Sequence, residues 1–174
     1  FPLENFPHLH EAGQTRMTVP VEHGGDGLGI YTLCRVTQAF SSGEPSTALV
    51  LQQHLLQMAG IARLQRWPEA VYREVVRATV EEGAVINAAR VEPELGTPAR
   101  GGLPATTARK TANGWSVTGR KTYTTGVPVL RYAIVWARTD EDPVRVGNFL
   151  VPLASKGVSI DKTWNHLGMR ATGS

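Results

Sequence analysis

The chain has one cysteine, Cys34, among 174 residues. A single thiol excludes an internal disulfide framework and suits a reducing compartment, so a cytoplasmic home is the expectation. Cys34 stands in an apolar-periodic stretch beside Leu33 and Val36 and is expected to pack there as a small hydrophobe. Long apolar runs are also missing: no segment approaches the about 20 residues needed to cross a bilayer, which argues against a membrane-spanning helix. The opening stretch, residues 1–10, lacks the charged-then-apolar pattern of an export signal. There is no initiator methionine, and the chain ends on Gly-Met-Arg-Ala-Thr-Gly-Ser, a glycine-bearing loop. Both ends therefore read as cut.

Strong charge of one sign is absent too. Eighteen Lys and Arg against fifteen Asp and Glu leave a formal net charge of +3. The basic residues are scattered among acids rather than gathered into a track for a phosphate backbone, so nucleic acid is a poor partner. The five histidines include one i, i+2 pair, His8 and His10, but no companion Cys or carboxylate at a metal-ligand spacing, and no metal is expected. The serines at 41, 42 and 46 lack a G-x-S-x-G elbow. Gly24, Gly25, Gly27 and Gly29 follow no strand and miss the G-x-G-x-x-G spacing, so they read as a turn between helices.

What is present sorts into two textures. Leu28, Tyr31, Leu33, Cys34, Val36 and Phe40 recur at helical intervals. A second helix is expected from Ser46 or Thr47, either of which can cap it, through Leu64, with apolar residues on enough sides to imply burial. His54 on that helix reads as a satisfied core or interface histidine. Trp67-Pro68-Glu69 begins a third helix, because proline is tolerated in a first turn, and Gly83 ends it. After Gly83 come short β-favouring runs: 84–86, 105–110, 115–118, 132–137 and 148–153. Asn113-Gly114 is a hairpin turn. The expected class is α+β, with a helical domain over 1–83 followed by a mostly antiparallel β-barrel domain over 84–174.

Two polar segments flank the first strands: Arg90 to Thr97 and Gly119 to Gly126. A flat isoalloxazine needs edge donors, an aromatic wall and small residues where backbone approaches a pyrophosphate. Thr97, Thr125, Tyr123 and Gly96 are the residue types for that task. Glu92 and Glu94, two apart, read as local hydrogen-bonding groups rather than an acid/base pair.

The order of motifs resembles the acyl-CoA dehydrogenase family across nearly the whole chain. Val19 to Gly29 is similar to its V-P-E-x-x-G-G-x-G turn, and Val91-Glu92-Pro93-Glu94-Leu95-Gly96-Thr97 to its T-E-P-x-A-G-S-D segment. Gly119 to Thr125 is similar to G-x-K-x-W-I-T, and Leu167 to Thr172 to L-G-M-R-x-S/T. The resemblance implies FAD, with FMN as the alternative, held by Ala89, Arg90 and Val91 at the pyrimidine and by Gly96 and Thr97 near the pyrophosphate. It further implies Tyr123, Thr124 and Thr125 against the ring, with the Thr125 hydroxyl directed to N5 or O4, and Thr97 also near acyl-CoA. An electron-transfer flavoprotein or similar acceptor and a homo-oligomer, a homotetramer, follow from the same likeness. The family's catalytic glutamate belongs to a C-terminal helical bundle, and nothing in these residues matches it. Val91 stands where the family has Thr or Ser, Pro98 replaces the Asp of G-S-D, and Tyr123-Thr124-Thr125-Gly126 is closer to flavin monooxygenases of the same fold. Acyl-CoA dehydrogenation is the first expectation, monooxygenation the second, and a non-catalytic flavin- or thioester-binding module the third.

Overall fold

The computed structural model describes all 174 residues, the side chain of Arg100 excepted. Four helices precede five strands: α1 Asn5–Glu11, α2 Ile30–Gly43, α3 Pro45–Leu64, α4 Glu69–Glu82, then β1 Val85–Ala89, β2 Thr107–Thr111, β3 Gly114–Thr118, β4 Leu130–Thr139 and β5 Val146–Pro152. No helix is long and apolar enough to cross a membrane.

The α+β order is the expected one, and several details differ. α1 was not foreseen, since in seven residues only Phe6 and Leu9 are buried, too short a pattern for periodicity to register. The cap of α3 is neither Ser46 nor Thr47. Glu44 takes that role: its carboxylate accepts the N–H groups of both, and Pro45 fills the first helical position. Both hydroxyl residues are buried within the first turn of α3. Cys34 is exposed, because α2 turns Leu33, Val36 and Phe40 inward and its neighbour at 34 falls about 100° around the helix.

The sheet is mixed and open rather than a closed antiparallel barrel. β4 is its centre, paired parallel to β1 along its first half, parallel to β2 at its end, and antiparallel to β5 on the other edge. Parallel pairing requires a long excursion between strands, and the β2–β3 hairpin occupies it between β1 and β4. Alternation along β4 then divides two cores. Tyr132 and Ile134 face the helices, packing with Ile86 against Met58, Ile61, Val75 and Val76. Ala133 and Val135 face the opposite side with Ala89.

His54 joins the helical layer to the sheet. It is fully buried on α3. Its Nε2–H donates to the Thr15 carbonyl at 2.8 Å, which leaves Nδ1 to accept the Ile86 N–H of β1 at 3.1 Å. Only the neutral Nε2–H tautomer satisfies both. Burial holds its pKa down to about 4, against the opposing pull of the Thr15 carbonyl.

Because the unfolded imidazole titrates near 6.5 and the folded one near 4, the unfolded state binds more protons in between. Stability should thus fall as pH drops from 6.5 to 4, by about 3 kcal/mol in all. Urea denaturation across that window, repeated on His54→Gln, checks this. An unchanged slope in the variant would remove His54 as the cause.

Candidate functional site

The end of β1 and the loop 119–126, far apart in sequence, are stitched side by side. Thr122 N–H donates to the Val91 carbonyl at 3.0 Å, and the Asn87 side-chain Nδ2–H donates to the Thr125 carbonyl at 2.9 Å. Gly126 N–H donates to the carbonyls of Thr172 and Gly173, so the Leu167–Thr172 segment joins the same cluster. Three of the four sequence motifs therefore converge.

Their anchor is Glu92. Its carboxylate, 3% exposed, accepts the N–H of Ala105 at 2.8 Å, the N–H and hydroxyl of Thr106 at 2.9 and 2.5 Å, and the Lys121 ammonium at 2.7 Å. Lys121 itself is 10% exposed and lies 5.6 Å from the centre of the Trp136 ring. Burial alone would raise the Glu92 pKa; the bonds from Lys121, Thr106 and Ala105 outweigh it and hold the carboxyl at about 2. Glu92 is thus a structural hub rather than an acid or base. Reciprocal backbone bonds with Gly96, whose φ is +74°, close the tight turn that follows it.

Each expected site residue has a definite place. Ala89 is buried at the end of β1, Arg90 exposed and Val91 half-buried. Gly96 closes the Glu92 turn, while Thr97 is exposed and its hydroxyl accepts the Ala99 N–H at 3.4 Å, capping a short 3-10 turn. Thr124 is buried and Thr125 half-buried. Tyr123 is 56% exposed with φ +56°, a left-handed conformation costly for an aromatic residue. Its ring lies 5.7 Å edge-on to Trp164 and 5.6 Å from His166, which in turn are 4.1 Å apart.

Ala89, Tyr123 and Thr124 also border a cavity of about 590 Å³ floored by Ala133, Val135 and Val151. Arg90, Val91, Gly96, Thr97 and Thr125 do not line it. The sequence reading missed Asn87, Lys121 and the Trp164–His166 pair. For Asn87 a signal existed: it is the one polar residue in Val85-Ile86-Asn87-Ala88-Ala89.

Two glycines explain how the loop lies so close. A Cβ on Gly119 would collide with the Thr106 side chain, and one on Gly126 would come within 2.5 Å of Val50 on α3.

Removing the Glu92 charge leaves the Lys121 ammonium buried without its partner. Glu92→Gln should therefore cost about 3 kcal/mol or more in denaturant unfolding. A loss under about 1 kcal/mol would show the pair to be dispensable.

Comparison with known proteins shows the family and the fold. The acyl-CoA dehydrogenase N-terminal domain matches residues 1–66 and the acyl-CoA dehydrogenase middle domain residues 88–174. YdbM of Bacillus subtilis, provisionally designated an acyl-CoA dehydrogenase, is 40% identical over all 174 residues, which cover 45% of its length. The L-evernosamine nitrososynthase of a Micromonospora strain is 28% identical over the whole chain and 41% of its own length. Among solved structures, KijD3 in complex with FMN and a dTDP-amino-keto sugar superposes with a TM-score of 0.87 at 29% identity, covering 99% of this chain and 42% of KijD3. The chain thus spans less than half the length of these relatives, and it belongs to the acyl-CoA dehydrogenase family.

Proposed function

We propose that the chain supplies the flavin-holding part of an acyl-CoA dehydrogenase, with FAD as cofactor and FMN as the alternative. One observation carries this reading: β1's end and the Gly119–Gly126 loop are bonded edge to edge, presenting Tyr123, Thr125 and the Arg90 backbone together. Along β1 the N–H groups of Ile86 and Ala88 meet side-chain acceptors, and the next alternate one, on Arg90, meets no acceptor among the described residues. An exposed aromatic ring in a strained backbone beside a free amide suits the edge and face of a flat heterocycle.

A flavin bound there supplies the two-electron acceptance that side chains lack. In this reading Tyr123 forms a wall against the ring, Thr125 donates its hydroxyl to the ring edge, and Gly96 and Thr97 meet the pyrophosphate, with Thr97 also near the acyl thioester. The glutamate that removes the α-proton is assigned to sequence outside these residues. The partners are an acyl-CoA, an electron-transfer flavoprotein or similar acceptor, and further copies of the chain, in the cytoplasm. YdbM's identity supports this choice.

A second reading, a flavin monooxygenase on the same scaffold, is favoured by Tyr123-Thr124-Thr125-Gly126 and by the likeness to KijD3 and the nitrososynthase.

Full-length protein mixed anaerobically with a panel of acyl-CoAs separates them. Bleaching of the flavin band supports dehydrogenation. No bleaching by any thioester, with oxygen-dependent turnover by the pre-reduced protein, selects the second. Within either, Thr125→Val should slow flavin reduction about tenfold, the worth of one hydrogen bond, with little change in melting temperature. Equal losses of melting temperature and flavin binding at an unchanged rate would count against that role.

A further inference from the structure

Asn87 is the unusual residue of β1. It is 5% exposed in a strand whose other residues are Val, Ile and Ala. A buried amide is tolerated only when its donors and acceptor are met. Here the Oδ1 accepts the Ala88 N–H at 2.7 Å, and Nδ2–H donates to the Thr125 carbonyl at 2.9 Å, 38 positions along the chain.

The first of these bonds has a counterpart. β1 pairs only with β4, so its other edge faces no strand. The N–H groups of Ile86 and Ala88, two residues apart, are taken by side chains instead: His54 Nδ1 for the first and Asn87 Oδ1 for the second. One side of the Asn87 amide therefore closes the free edge of β1. The other reaches the loop. The carbonyl it holds belongs to Thr125, two residues after Tyr123 and its left-handed backbone. Backbone bonds also tie this loop: Thr122 N–H to the Val91 carbonyl, Gly126 N–H to the carbonyls of Thr172 and Gly173, Val127 N–H to the Thr124 carbonyl, and the N–H groups of Val129 and Leu130 to the Gly126 carbonyl. Glu92 and Asp161 hold the side chains of Lys121 and Arg120, whereas Asn87 is the side chain that, among the described hydrogen bonds, holds a backbone group of the loop.

We infer that Asn87 is a positioning residue for the flavin loop. By fixing the Thr125 carbonyl it fixes the Thr125 peptide, and with it the direction of the hydroxyl and the height of the Tyr123 ring over the site. The inference rests on the flavin reading above, and it concerns how the site is aimed rather than what binds there. The relay runs from His54 on α3, through adjacent residues of β1, to the loop, so the helical layer sets the loop's position without touching the ligand.

The variants are Asn87→Asp, which keeps shape and acceptor but loses the donor when ionised, and Asn87→Leu, which loses both. Full-length protein is loaded with FAD and, separately, FMN, and the visible flavin spectrum, midpoint potential and rate of flavin reduction are recorded. Hydrogen exchange of the 122–127 peptide is followed in parallel against that of β4. The expected result is a shifted flavin band and potential in both variants and a 3- to 10-fold slower reduction, the range a neutral hydrogen bond represents. Exchange in the loop should quicken by a similar factor while β4 changes little.

Flavin spectrum, potential and loop exchange all unchanged in both variants would overturn the inference and leave the flavin reading standing. Parallel acceleration of exchange in loop and β4 would also overturn it, since Asn87 would then support the sheet generally. Wild-type protein that holds neither flavin would overturn the flavin reading and this inference together.

Discussion

The buried carboxylate of Glu92 is the constraint on which the site depends. A charge out of water is tolerable only when every lone pair is met, and here two backbone N–H groups, a hydroxyl and an ammonium meet them. The consequence is geometric. Residues 92, 105–106 and 121 can occupy one arrangement, and each begins or ends a segment that borders the proposed flavin site. Pro93 and the Gly96 turn hang from the first, β2 starts from the second, and the Tyr123–Thr125 loop follows the third. A substituted glutamine would keep shape but not charge, so the same positions could not be held with the same force.

Much of this was legible in the sequence, for identifiable reasons. Helices α2, α3 and α4 announced themselves through 3.6-residue apolar spacing, and the strands through β-branched runs broken by Gly, Pro and Asn. What failed were features set by three-dimensional neighbours. Ser46 and Thr47 are the residue types of a cap, yet Glu44 precedes Pro45 and captures both their N–H groups. Cys34 sits between apolar residues but on the wrong face. The parallel pairing of β1 with β4 is invisible locally, because strand direction is decided by where a hairpin in between is accommodated. In the site, the motif residues were recognisable by type, whereas Asn87 and Lys121 act through partners more than 25 positions away.

The same scaffold carries a designated dehydrogenase, a nitrososynthase and KijD3 with its FMN and nucleotide sugar. A shared fold therefore fixes where a ligand can lie, not which reaction follows. The features that hold the loop in place, Glu92 with Lys121 and the close approach of Gly119 and Gly126, act on position. Arg90, Thr97 and Tyr123 lie on the exposed side of that framework.

The three partners of β4 also set an order of assembly. Its hairpin with β5 and that of β2 with β3 close loops of a few residues, whereas β1 must find a partner about 45 positions away. Closing the longer loop costs more chain entropy before any contact compensates. Loop-closure entropy therefore favours the local hairpins as the early units, with the docking of β1 after them. Since Asn87, Val91 and Glu92 arrive with β1, the loop of Tyr123 gains its final shape only at that late step. A nascent chain would expose an unformed pocket until residues well beyond the first motif had left the ribosome.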